Sequence, residues 1–409
     1  MMAVGDDRIR KYFLFRAVTS FALWLPFWTI WANNHLNSLF LLTVVDAAFW
    51  TTMIVLQVPT GLLGDKYGRK PVLFIGEVMV AVGVLTFGLS TEFWQFLGAN
   101  ILWASGICFV VSGDTPFLYD TLLELGRAKE FIGVQARAWA VSAIVNALAC
   151  IVGGIMVQWI IPDRLDLTLI ISALVALIGS FTILLLREPQ VSRTKFGSFR
   201  IQLKDGWNEV RNSRAILTII AFQIVVEIGL YVMAVFRSVY MNTDLDLSYF
   251  YVGMFIGAFT IAGGLVATQA GKIEGHLGEK KSLWFLLLAL IGSFAVVFII
   301  KSAEAIMVQF MIYGVSYLVG PITNGYINKR VDSQHRSTVV SIATFLFTAV
   351  LAPVEMAFGF LATEWGTRES LLVLALCIAP IGFFLLNVWG REIDSEKAQV
   401  KEIRTLKQF

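Results

Sequence analysis

Charge is the scarcest property of this chain. Asp, Glu, Lys and Arg make up only 15% of its 409 residues, where soluble chains average about a quarter. Hydrophobic residues make up 57%, and the mean hydropathy is +0.74. That balance excludes a water-soluble protein and leaves an integral membrane protein. Cysteine is almost absent, and Cys108, Cys150 and Cys377 each fall inside an apolar run. They read as small core residues rather than a disulfide framework or a metal site. The three histidines, His35, His276 and His335, are scattered near helix ends, so no metal cluster is expected. A Gly-x-x-x-x-Gly-Lys phosphate loop is missing, which argues against ATP-driven transport. No nucleophile–base set stands out, which argues against an enzyme, and no cofactor is expected. The net charge of +3 comes from loops and gives no reason to expect a nucleic-acid partner. Met1–Lys11 is too polar for a cleavable signal peptide, and the first apolar run is long enough to stay as a membrane helix.

What the chain does have is long apolar runs, each near the ~20 residues a helix needs to cross a bilayer. Twelve are expected, at Tyr12–Ala32, Leu39–Leu63, Pro71–Leu89, Phe93–Leu118, Ile132–Gln158 and Leu167–Leu186, then Ala215–Arg237, Ser248–Ala270, Ser282–Ile300, Ala305–Ile327, Thr338–Ala362 and Ser370–Trp389. With the N-terminus inside, 26 of the 32 Lys and Arg fall on inner loops and tails, and only Arg164, Lys301 and Arg368 fall outside. The positive-inside rule then puts both termini in the cytoplasm. The basic stretch Glu188–Arg214 splits the chain six and six. The expected organisation is a lobe at 1–187, a linker at 188–214, a lobe at 215–390 and a tail at 391–409. Within the linker, Ile201, Leu203, Trp207 and Val210 predict an amphipathic surface helix over Phe199–Val210.

The two halves look related. Arg137-Ala138-Trp139-Ala140-Val141-Ser142 opens the fifth run and Arg336-Ser337-Thr338-Val339-Val340-Ser341 opens the eleventh. Such repeats belong to two-lobed secondary transporters, whose substrate sites lie between repeats near the bilayer midplane. The fold class expected is an all-α membrane protein of twelve transmembrane helices in two pseudo-symmetric six-helix lobes.

Charged residues inside the apolar runs are costly and are functional candidates by default. They are Arg16, Asp46, Glu77, Asp114, Glu227, Arg237 and Glu355. A carboxyl taken out of water can hold and exchange a proton in the physiological range. On that ground Glu227, Asp114 and Glu355 are the proton-coupling candidates. For Glu227 and Glu355 the structural alternative is a buried acid paired with Arg16 or Arg237, and for Asp114 it is a lobe-packing pair. Glu77 reads as a structural pair, and Arg16 as a residue that snorkels to the headgroups. Substrate-binding candidates are Asp46, Arg237, Trp24, Trp28, Gln57, Asn146 and Asn324. The aromatic stripe of Trp24, Phe27, Trp28 and Trp31 suits an amphiphilic substrate, with a lipid-facing belt as the alternative. Gly253-x-x-x-Gly257, Gly153-Gly154 and Gly263-Gly264 predict close helix crossings.

Between the second and third runs stands Gly61-Leu62-Leu63-Gly64-Asp65-Lys66-Tyr67-Gly68-Arg69-Lys70. It closely resembles the loop motif G-x-L-x-D-x-x-G-R-K of the major facilitator superfamily. A worn copy follows the eighth run at Gly271–Lys281, with Glu279 where the arginine would be. The resemblance implies that Asp65 and Arg69 are gating residues that hold the halves together in one transport state. Asp65 is also placed to face the N-terminal end of the next helix. Asp120, Arg137 and Arg336 join the gating set, with Asp120 expected beside Arg127 or Arg137. The run Gly113-Asp114-Thr115-Pro116-Phe117-Leu118-Tyr119-Asp120 resembles a prokaryotic drug-exporter-like subgroup. That resemblance implies a monomeric transporter in the bacterial inner membrane, exporting a small organic or amphiphilic compound against protons by alternating access. An importer or facilitator of an organic anion or lysolipid keeps the same fold. A non-transporting sensor or assembly partner is the reading from another class. The chain departs from many drug–proton antiporters at Leu102, where they carry arginine, and at Ile151-Val152, where they carry Gly-Pro.

Overall fold

The protein is described by a computed structural model covering residues 6–190, 199–331 and 335–406. Its described residues form helices and no strands. They are α1 (Asp7–Thr19), α2 (Trp28–Leu36), α3 (Leu39–Tyr67), α4 (Arg69–Leu89), α5 (Phe93–Glu124), α6 (Phe131–Ile155) and α7 (Leu165–Thr182). The second half has α8 (Phe199–Asn212), α9 (Arg214–Val239), α10 (Tyr249–Ala267), α11 (Ala270–Ile299), α12 (Ile306–Arg330), α13 (Arg336–Trp365) and α14 (Thr367–Leu406). Eleven helical segments among the described residues are each long and apolar enough to cross a membrane. The first apolar run is not one helix but α1 and α2, separated at residues 20–27, where Pro26 removes a backbone donor.

Two compact units divide the chain. Unit 1 holds Met1–Thr194, Phe236–Ile261 and Glu355–Glu364, and unit 2 holds Lys195–Val235, Ala262–Val354 and Trp365–Phe409. In unit 1, α4 and α5 cross without room for side chains. A Cβ on Gly83 would meet Trp103 Cα at 2.7 Å, and one on Gly106 would meet Val80 N at 2.6 Å. Small residues are what let backbones approach in lipid, where van der Waals contact drives association. The glycines of α6 and α10 bring those two helices together. A Cβ on Gly257 would lie 2.7 Å from Ala147 O, and one on Gly154 would lie 3.0 Å from Phe250 O.

Unit 1 is continuous with two short stretches from the second half of the chain. They pack on the end of unit 1 opposite Gly68. Phe27 meets Tyr249 and Trp159 meets Phe250, with ring centroids 6.1 and 5.0 Å apart. Phe236 meets Phe358 at 4.8 Å.

In unit 2 the stretch read as a loop, residues 271–281, is helical and belongs to α11. Its turn is concentrated at Gly278, whose φ of +73° suits a residue without Cβ. The linker helix α8 is present. Val210 is buried and Gly206 abuts the Thr338 side chain of α13, while Trp207 stays exposed. The side chains of Ile201 and Leu203 lie outside the described residues.

Candidate functional site

The motif between α3 and α4 folds more tightly than a hairpin loop. Helix α3 runs through Tyr67 and α4 starts at Arg69, so Gly68 alone makes the turn, at φ +109°. Arg69 Nη2 donates to Asp65 Oδ1 at 2.6 Å, and its Nε lies 3.9 Å from Asp120 Oδ2 on α5. One arginine therefore gathers both expected gating acids. Arg127, one of the two partners expected for Asp120, forks onto Glu130 at 2.8 and 2.9 Å. Glu188 caps α4, its two carboxylate oxygens accepting from Arg69 N at 2.7 Å and Lys70 N at 2.6 Å. This is a negative group on orphan donors at a helix N-terminus. The acid beside Arg187 in the sequence was the available signal, and it was overlooked because it lies more than a hundred residues away.

The worn copy builds the same kind of bridge with the charges exchanged. Glu279, at the arginine position, accepts from Arg330 Nη2 of α12 at 2.9 Å, and Arg330 also reaches Glu396 of α14 at 2.7 Å. The Arg330 guanidinium lies over Trp389 at 4.6 Å. Arg137 and Arg336 also match each other. Both are exposed, and each donates from Nε to a carbonyl just upstream, Gly133 O at 3.0 Å and Val331 O at 3.3 Å.

Deeper in unit 1, Arg16 turns inward and does not snorkel. Its Nη1 meets Asp114 Oδ2 at 3.0 Å, and Tyr12 donates from its hydroxyl to Asp114 Oδ1 at 2.7 Å. Glu77 is buried within Coulombic reach of both Arg16 and Asp114. One cation thus serves two buried acids. Tyr12 escaped the sequence reading because a tyrosine near a helix start looks like an interfacial anchor.

The other acids fall in two places. Asp46 of α3 and Glu355 of α13 face each other in unit 1. Glu227 of α9 is in unit 2, on a cavity of about 270 Å³ lined by Leu230, Tyr231, Ala234, Ile312, Tyr313, Ser316 and Phe347. Gln223 donates its amide to Glu227 Oε1 at 2.9 Å, one helical turn away. No cation pairs with Glu227 among the described residues. Tyr231 and Phe347 close one wall edge to face, 6.4 Å apart. Tyr231 follows Glu227 by four residues, so the helical period could have named it. Tyr313 and Phe347 come from other helices and could not be found that way.

The remaining candidates do not join this cavity. Trp24 packs edge-on against Trp103 at 4.5 Å and Trp28 against Phe87 at 6.2 Å, inside an apolar cluster of unit 1. Arg237 is buried in unit 1 with its guanidinium 5.7 Å from the Phe259 ring. Asn146 accepts from the Cys150 thiol at 3.8 Å, Gln57 is exposed, and Asn324 is half-buried in unit 2.

The family model of the Major Facilitator Superfamily matches residues 12–354. The quinolone resistance protein NorA of Staphylococcus aureus is 23% identical over 341 residues, 78% of this chain and 84% of NorA. The inner membrane transport protein YajR of Escherichia coli is 27% identical over 177 residues, 38% of each chain. Zinc Induced Facilitator 1 of Arabidopsis thaliana is 32% identical over 114 residues, 28% of this chain and 22% of that protein. These last two matches therefore span well under half of each relative. Among solved structures, the nucleoside transporter NupG superposes with a TM-score of 0.80 at 14% identity, over 94% of this chain and 99% of NupG. A bacterial homologue of the human lysosomal transporter Spinster, inward-facing and unoccupied, gives 0.70 at 12% identity, over 95% of this chain and 99% of that one.

Proposed function

The chain belongs to the major facilitator superfamily, and we propose that it is a secondary active transporter exporting a small organic, amphiphilic compound in exchange for protons. One observation carries this reading: a cavity walled by aromatic side chains with a single half-buried acid, Glu227, held by an amide and, among the described residues, by no cation. Aromatic walls bind apolar bodies, and one convergent polar group gives orientation. Glu227 is the proton carrier, and compound and proton occupy the cavity in turn. NorA's drug resistance and its coverage of most of this chain favour export. The lobes are 1–187 and 215–390, joined by 188–214, with both termini cytoplasmic in a bacterial plasma membrane. Arg69, holding Asp65 and Asp120, is the inner gate. The contacts of residues 236–261 and 355–364 inside unit 1 are a closed outer gate.

The test is proteoliposomes with an acid interior and labelled cationic, anionic and lysolipid amphiphiles added outside. One amphiphile class is expected to accumulate and to be released when a protonophore collapses the gradient. Equilibration without a gradient would make the protein a facilitator. Movement of lysolipid or anion alone would replace the cargo.

A further inference from the structure

Helices α3 and α13 pack antiparallel inside unit 1, at the end away from Gly68. Their register is fixed by three contacts. Phe40 N donates to Thr363 Oγ1 at 3.0 Å, and the Phe40 and Phe360 rings meet at 6.3 Å. Gly359 lies directly on Thr43, where a Cβ would collide with the threonine side chain. Continuing by three to four residues along each helix places Asp46 opposite Glu355, and the two carboxyls are within hydrogen-bonding reach of each other. They are 4% and 0% exposed. On the far side of α3, Asn100 of α5 donates to Val45 O at 2.8 Å, holding the turn that presents Asp46.

Neither Glu355 oxygen meets a hydrogen-bond donor. Ionised carboxylates have nothing to donate, and two of them in an apolar packing repel strongly. A buried acceptor without a donor requires an explanation. A single proton supplies one, because the protonated acid donates to the ionised one, as in other carboxyl pairs that share a proton. Arg237 on the neighbouring end of α9, next to Phe236, which rests on Phe358 of α13, is a buried cation with its guanidinium over the Phe259 ring. Other titratable groups at these helix ends among the described residues include His35, whose Nδ1 sits 2.9 Å from Trp31 O, the buried Tyr240 and the exposed Glu364.

We propose that Asp46 and Glu355 form a proton-binding site that latches α13 onto α3. With the shared proton the contact holds, and when the proton returns to the water on that side the two helices part. A hard metal cation is the wrong ligand, since it asks for about six oxygens. The Thr43 hydroxyl is committed to Phe40 O at 2.8 Å, and no third metal-ligating acid, histidine or cysteine joins the pair among the described residues. The proposal relies on the alternating-access reading only in naming this end the outer gate. It uses neither Glu227 nor its cavity.

The experiment reads accessibility rather than transport. Thr43→Cys, in a background with the three native cysteines replaced by serine, is reconstituted without any transported compound. It is then labelled from outside with a membrane-impermeant maleimide at fixed internal pH. Rates are corrected for the reagent's own pH dependence with a free thiol. Labelling is expected to be slow at acidic external pH and about tenfold faster above a single midpoint. Asp46→Asn and Glu355→Gln each put a permanent donor between the two side chains, so both are expected to give slow labelling at every pH. The rate is read with no transported compound present, which separates failure of the latch from failure of the transport reading. A profile flat in the parent protein, a profile unchanged by both acid substitutions, or one that follows external sodium at fixed pH would overturn the proposal.

Discussion

Replacing Glu227 with glutamine is expected to abolish proton-driven transport while leaving the protein folded. The substitution keeps the size of the side chain and an oxygen to accept from the Gln223 amide, so the wall of the cavity is preserved. What it removes is the one carboxyl among the residues that line that cavity. Positioned proton carriers contribute on the order of 10²- to 10⁴-fold to rates, so a loss of at least about a hundredfold in gradient-driven flux is expected. Thermal unfolding in detergent is expected to move little, because no cation loses its partner. Gradient-driven flux at the parental rate in Glu227→Gln would remove this residue from the mechanism.

The second large effect is on stability. Arg16→Met is expected to destabilise the protein by roughly 3 to 5 kcal/mol, the usual cost of removing one partner from a buried pair. The reason is local arithmetic of charge: Arg16 stands between Asp114 at 3.0 Å and the buried Glu77. Without it the two acids keep no basic partner among the described residues. Asp114→Asn is expected to cost less, since Arg16 keeps Glu77 within reach and Tyr12 can still donate to the new side-chain oxygen. Thermal unfolding of the two variants in one detergent checks the order. A larger loss in Asp114→Asn than in Arg16→Met would show that the cluster is not held by the arginine.

Much of the architecture could be read from the sequence because a bilayer imposes strong rules. Apolar length marks each crossing, and the Gly61–Lys70 motif marks the turn between α3 and α4. The glycines of α6 and α10 marked close approaches, but not that the two helices meet each other. The break at residues 20–27 was less legible, since a run of apolar residues looks the same whether or not a proline interrupts it. Intramembrane acids were visible as residues but not as pairs. Composition finds Asp46, Asp114, Glu227 and Glu355, while their neighbours depend on helix rotation and register. Thus Arg16, read as snorkelling, turned inward to Asp114. Asp120 lies within reach of Arg69, and the backbone donors that open α4 are taken by Glu188 from far along the chain. The tryptophans failed for a related reason. A stripe on one helix face does not say whether it meets a cavity or a neighbouring helix, and here Trp24 and Trp28 meet Trp103 and Phe87.

The central claim is that a compound and a proton exchange through one cavity. Its most direct measurement is the internal pH of acid-loaded proteoliposomes, followed with a trapped dye as the amphiphile selected by the labelled panel is added outside. The account predicts prompt alkalinisation of the lumen that saturates with compound concentration and vanishes in Glu227→Gln. Compound uptake with no change in internal pH, or alkalinisation that persists in Glu227→Gln, would contradict it.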